Sequence, residues 1–162
     1  MYKCQVIRLS NFLKLIYKEY ISKNKYFSYF REAKSSESTF VLITSDRGKG
    51  CSASSGSGTK LNNKMNLDEG CFSPSTIMHE FFHILGVGHY HQRSDRDKYV
   101  TIHWENIKPD KHFAYCKDRS EDKEKSTYGT EYDFKSFMHY DDSFNALDTN
   151  KPTISSKVEF IL

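Results

Sequence analysis

"HEFFHILGVGH", residues 79–89, is the stretch on which the reading of this chain turns. Together with His91 it places four of the seven histidines within thirteen residues. The surrounding segment "SPSTIMHEFFHIL" (73–85) has helix signals at both ends: Pro74 and Ser75 suit its start and Gly86 suits its end. Positions i and i+4 of a helix lie on one face, so His79 and His83 point the same way, close enough to hold one metal ion. Glycine readily takes the left-handed conformation that ends a helix and reverses the chain, so a turn at Gly86 can bring His89 to the same ion. Three neutral imidazoles leave the fourth position of tetrahedral zinc open for water, as in catalytic rather than structural sites. Glu80, directly after the first histidine, is placed to act as general base on that water and to pass its proton to a leaving amine. The expected chemistry is hydrolysis of a peptide bond.

The rest of the chain sets the frame for that site. Its 162 residues suit one domain with one core, read here as a single domain over 1–162. Only 37% of residues are hydrophobic, but 11 Tyr and 12 Phe supply the bulk that few aliphatic residues would otherwise provide. A net charge of +3, mixed in sign along the chain, leaves no nucleic-acid footprint. No apolar run is long enough to span a bilayer. The first residues, "MYKCQVIRLSNFLKLIYKEY", are interrupted by Lys14, Lys18 and Glu19 and read as an amphipathic helix over 9–21, not as a secretory signal.

"TFVLITS" (39–45) reads as a buried strand. "CSASSGSGTKLNNK" (51–64) reads as a tethered loop or weak edge strand, "KMNL" (64–67) as a short strand, and "YVTIHW" (99–104) as a strand or extended turn. "KDRSEDKEKS" (117–126) reads as a solvated loop. The four cysteines do not fix a compartment by number, and a bond between Cys4 and Cys116 stays open.

The pattern H-E-x-x-H-x-x-G-x-x-H is the metzincin signature, which calls for a methionine turn downstream; "SFMHY" (136–140) supplies one at Met138. The constellation of "HEFFHILGVGH", "RSDRDKYVTIHWENI" (93–107) and "YDFKSFMHY" (132–140) resembles the astacin family of zinc endopeptidases. The resemblance implies an α+β metzincin fold. An N-terminal half would carry a mixed sheet and the active-site helix, and a smaller C-terminal half would be irregular, with one zinc ion at the floor of the cleft between them. By position it makes His79, His83 and His89 the zinc ligands, Glu80 the catalytic base and Met138 the apolar floor. Tyr140 becomes the switch tyrosine, which leaves zinc to hydrogen-bond the oxyanion of the tetrahedral intermediate. It also implies a Cys51–Cys71 disulfide, an extended protein or peptide substrate, and export from the cell. Arg93, Asp95, Arg96 and Asp97 are expected to form ion pairs that hold the turn after the helix. His91, His103, His112 and His139 are given no ligand role.

Three departures qualify the resemblance. Tyr90 stands where astacins carry a glutamate that receives the mature N-terminal amine, and a tyrosine is uncharged at neutral pH. Phe27 lies where the family's first cysteine is expected and the sequence stops at "VEFIL", so the domain reads as incomplete at both ends. "SASSGS" (52–57) lacks the aromatics that family members carry on the substrate-binding edge. The rival readings are an inactive homologue that binds zinc and peptide without cutting, and a non-enzymatic interaction module.

Overall fold

A computed structural model describes residues 5–8, 30–32, 34, 36, 40–54, 62–118, 126–127 and 129–158. The helix expected over 9–21 falls outside these residues, as does most of 117–126. The chain divides into two compact units, Met1–Val87 and Gly88–Leu162.

The first unit is built on a five-stranded sheet in the order β2-β1-β3-β5-β4. Its strands are β1 (Gln5–Arg8), β2 (Phe30–Glu32), β3 (Phe40–Thr44), β4 (Cys51–Ala53) and β5 (Asn62–Leu67). The first three strands and β5 pair in parallel, and β4 pairs antiparallel with β5 as the sheet's edge. Side chains alternate across a strand, and β3 alternates in burial: Val41 and Ile43 are buried between half-exposed neighbours. On β5, Met65 and Leu67 enter the same core.

Helix α1 (Pro74–Ile84) covers that face of the sheet. Ile77, Phe81 and Ile84 recur at i, i+4 and i+7 and are all but fully buried against Val41, Ile43, Met65 and Leu67. Ser73 is the N-cap; its hydroxyl accepts from the Thr76 amide at 3.1 Å, and Pro74 occupies the first turn, where no amide is needed. At the other end the Gly86 amide donates to His83 and the Val87 amide to Phe82, both at 2.9 Å. Those two bonds satisfy the last carbonyls of the helix, and they require the left-handed φ of +91° at Gly86. The expected disulfide is formed: Cys51 and Cys71, Cα atoms 5.6 Å apart, tie the start of the edge strand to the segment leading into α1.

Asn66 holds the β3–β4 connection on the opposite face. Its Oδ1 accepts from Thr44 Oγ1 and the Asp46 amide, each at 2.8 Å, and its Nδ2 donates to the Asp46 and Gly50 carbonyls. A buried amide costs nothing extra when all its bonds are made locally.

The second unit has little regular structure among the described residues: short 3-10 turns and one antiparallel pair, β6 (Val100–Ile102) with β7 (Ile154–Ser156). Val100, Ile107, Tyr115, Tyr132 and Ile154 form its core, so aromatic bulk fills this half as the composition suggests. Asn106 clasps the return segment, with Nδ2 donating to the carbonyls of Asp148, Lys151 and Pro152 and Oδ1 accepting from the Asp148 amide. The result is the α+β architecture anticipated from sequence, sheet and helix in the first unit and turns in the second.

Candidate metal centre

His79 and His83 stand one helical turn apart on α1, beside the apolar stripe that buries Ile77 and Phe81 and only half-buried themselves. Their rings are nearly perpendicular, at 89°, with their Nε2 atoms 3.0 Å apart. The Nδ1 of His83 lies 2.9 Å from the Val87 carbonyl. A carbonyl only accepts, so Nδ1 carries the proton and Nε2 keeps its lone pair. Burial also holds the His83 pKa below the usual imidazole range, which favours the neutral form that binds metal.

Beyond the Gly86 turn the chain reaches His89, whose Nδ1 lies 3.3 Å from Oε1 of Gln92. One ligand atom each from His79, His83 and His89 lies within 4.8 Å of the others. Tetrahedral zinc with nitrogens at about 2.0–2.1 Å sets its ligands roughly 3.3 Å apart, a spacing this set reaches by drawing its imidazoles slightly together around one ion. These three histidines are the group of metal-capable side chains found among the described residues. They come from one contiguous stretch of sequence, and they can hold a metal ion.

Glu80 comes directly after His79 on α1 and is only 4% exposed. Its Oε2 is buried without a hydrogen-bond partner. Burial alone pushes its pKa up to about 7, so it exchanges a proton near neutrality.

In the second unit, "SFMHY" folds as a turn: the His139 amide donates to the Ser136 carbonyl at 2.9 Å, and the Met138 amide donates to the Ser136 hydroxyl. Met138 is 2% exposed, and its carbonyl accepts from the Tyr90 amide at 2.8 Å, which fastens the turn to the residue after His89. Tyr140 lies against His91, Phe144 and His89, with ring centroids at 4.0, 4.4 and 4.7 Å. Burial raises its pKa, so its phenol is neutral and carries a proton to donate.

His91 has no exposed surface; its Nε2 lies 3.0 Å from the Ala114 carbonyl and burial lowers its pKa to about 3. His139 bridges Tyr132 OH and its neighbour's carbonyl. His103 faces Ser155 across the β6–β7 end and His112 sits in a turn against Ile107.

The charged string does more than pair ions. Arg93, 2% exposed, forms a two-pronged bridge to Asp95, with both distances 2.9 Å, and donates to the carbonyls of Thr130 and Glu131. Arg96 is also buried; it donates to the carbonyls of His91 and Tyr115 and reaches Asp97. Tyr90 has its own place in this network. Its ring lies under the Arg93 guanidinium at 4.9 Å, and its hydroxyl meets Thr130 Oγ1 at 2.7 Å. Two residues were invisible to pattern reading, Tyr90 as a cation–π base and Gln92 as a partner of His89, because neither fits a motif. Cys116 is exposed and forms no disulfide, and Cys4 falls outside the described residues.

The model of the astacin family, a family of peptidases, matches residues 19–161. The zinc metalloproteinase nas-5 of Caenorhabditis elegans is 36% identical over 107 residues, 64% of this chain and 29% of that protein. The zinc metalloproteinase nas-9 of the same organism is 47% identical over 77 residues, 48% of this chain and 14% of that protein. The chain thus spans less than a third of the length of these relatives. Among solved structures, high choriolytic enzyme 1, a hatching-enzyme zinc-protease from the medaka Oryzias latipes, superposes with a TM-score of 0.81 at 24% identity. That match covers 98% of this chain and 78% of the other, and it establishes the fold.

Proposed function

The chain belongs to the astacin family of peptidases, and from that premise we propose that it is a zinc-dependent endopeptidase acting on extended polypeptides. The observation that carries the reading is the convergence of His79, His83 and His89 to within 4.8 Å, with the carboxyl of Glu80 buried beside them in sequence. One zinc ion held by those imidazoles supplies the Lewis acidity that acidifies water and polarises a carbonyl.

Glu80 takes the proton from the attacking water and gives it to the departing amine, a part suited to a buried carboxyl directly after the first of the three histidines. Tyr140 donates its phenolic proton in a hydrogen bond to the oxyanion that develops on the carbonyl carbon's oxygen. Met138 supports the segment that carries His89 by its main-chain carbonyl, which accepts from the Tyr90 amide, and its buried side chain is the apolar floor of the site. The free side of β4, the sheet's edge among the described strands, offers backbone groups to an extended substrate. Specificity along that edge rests on backbone pairing and on the small side chains of Ser52 and Ala53. The Cys51–Cys71 bond supports an oxidising, extracellular setting. Among the described residues no helix is long and apolar enough to cross a membrane.

The test is endopeptidase activity of the whole chain, prepared under oxidising conditions and loaded with zinc, against Glu80→Ala as the blank. Cleavage above the blank that is lost on chelation supports the reading. A folded chain that holds one zinc and cuts nothing replaces it with an inactive zinc- and peptide-binding homologue.

A further inference from the structure

We propose that Gln92 is the positioning residue of His89, holding its imidazole in the one tautomer and orientation that present Nε2 to the metal. The inference rests on the metal-site reading above and adds a residue that the metal-binding motif does not contain.

The side-chain amide of Gln92 is oriented by both its ends. Its Nε2 lies 3.0 Å from the Ala114 carbonyl. A carbonyl can only accept, so that end must be the NH2 group, and Oε1 is then the atom turned to His89 at 3.3 Å. An amide oxygen can only accept, so the proton of His89 sits on Nδ1. Nε2 is thereby left as the lone-pair nitrogen. The backbone of Gln92 is fixed as well: its amide donates to the His89 carbonyl at 3.0 Å, and its carbonyl accepts from the Asp118 amide at 2.7 Å.

His83 has the same arrangement by other means, because its Nδ1 faces the Val87 carbonyl. Two ligand imidazoles therefore each present a protonated Nδ1 to a fixed oxygen, one from the main chain and one from a side chain. Outer partners of this kind orient ligating histidines and raise their basicity, and removing them typically weakens metal binding about 10–100-fold. Of these two partners, only that of His89 can be altered by mutation without breaking the backbone.

Two substitutions separate positioning from packing. Gln92→Met keeps length and volume but removes both polar ends. Gln92→Glu keeps an acceptor for His89 and loses the donor to Ala114, whose carbonyl still faces His91 Nε2 at 3.0 Å. Zinc affinity of the full chain is measured by competition with a chelator. The tautomer of His89 is read from histidine 15N shifts in the zinc-free protein, and thermal unfolding of the zinc-free protein reports packing. The expected result is zinc binding weakened about 10–100-fold in Gln92→Met, with loss of the Nδ1–H form and an unfolding temperature close to that of the parent. Gln92→Glu should retain affinity to within a few-fold. The inference is overturned if Gln92→Met binds zinc as the parent does, or if both variants weaken binding equally alongside a common loss of stability. Failure of the parent chain itself to bind zinc would instead sink the metal-site reading, so the two failures are distinct.

Discussion

The imidazole of His91 is stacked on the phenol ring of Tyr140, 4.0 Å between centroids and 28° between planes. His91 is fully buried, so the stack fixes one face of the tyrosine ring while Phe144 and Tyr115 hold its other sides. These contacts set the position of the ring in this structure, and they are made by the ring alone, so the hydroxyl is the chemically distinct part. Tyr140→Phe should therefore leave fold and zinc content unchanged and lower kcat about 100-fold, the usual cost of removing one oxyanion donor. Steady-state kinetics with metal analysis of the same sample checks this; an unchanged kcat would remove Tyr140 from the mechanism.

Arg93 and Asp95 make stability depend on acid. Hydrogen bonds from the Arg93 guanidinium are the main cause holding the Asp95 carboxyl below its ordinary value of 3.8. As pH falls the unfolded chain takes up this proton first, so the pair's contribution is complete above the ordinary value and is lost as pH drops through the folded one. Asp95→Asn should cost about 2 kcal/mol at pH 7, where a charged, buried arginine loses its partner. The gap to the parent should narrow below pH 3.8. Urea unfolding at a series of pH values measures it, and a gap independent of pH would contradict the assignment.

Gly86 carries the backbone reversal between the second and third histidines at a φ of +91°. A side chain there costs roughly 1–2 kcal/mol. Gly86→Ala should lower the unfolding free energy by about that amount and weaken zinc binding as well, since the turn sets where His89 arrives. Denaturant unfolding and chelator competition on one preparation test both parts.

The Cys51–Cys71 bond spans 20 residues of chain. Cross-linking a loop of that length stabilises by roughly 3 kcal/mol on the chain-entropy account. Replacing both cysteines with serine should lower stability by about that much. A loss well under ~1 kcal/mol would show that the hairpin is held by Asn66 and the core instead.

The helix was legible because its signals are local: a proline at its start, a glycine at its end and apolar residues at i, i+4 and i+7. Strand β3 was legible for a similar reason, a β-branched run with polar flanks. The parallel pairing of β3 with β5 was not, because nothing in either segment states its partner or register. The site divides in the same way. His79, Glu80, His83 and His89 sit in one stretch with fixed spacing, and the roles of Met138 and Tyr140 came only through resemblance. Arg93 and Arg96 read as members of ion pairs, yet both are buried and much of their bonding goes to backbone carbonyls, which no side-chain pattern reveals. Tyr90 read as a missing charge, and in the fold it is the ring beneath Arg93.

The β6–β7 pair has a consequence for the order of assembly. Ile102 pairs with Ile154, and the neighbouring contact from His103 to Ser155 spans 52 residues. On a ribosome β6 emerges long before its partner. Until residues 154–156 have been made, β6 lacks its paired strand, and Val100 and Ile107 lack the cover of Ile154; the carbonyls of Asp148, Lys151 and Pro152 to which Asn106 donates come only shortly before. The first unit has its β3, β5 and α1 core available well before that point. The two units are thus completed at different times during synthesis, the second only when its last strand has been released from the exit tunnel.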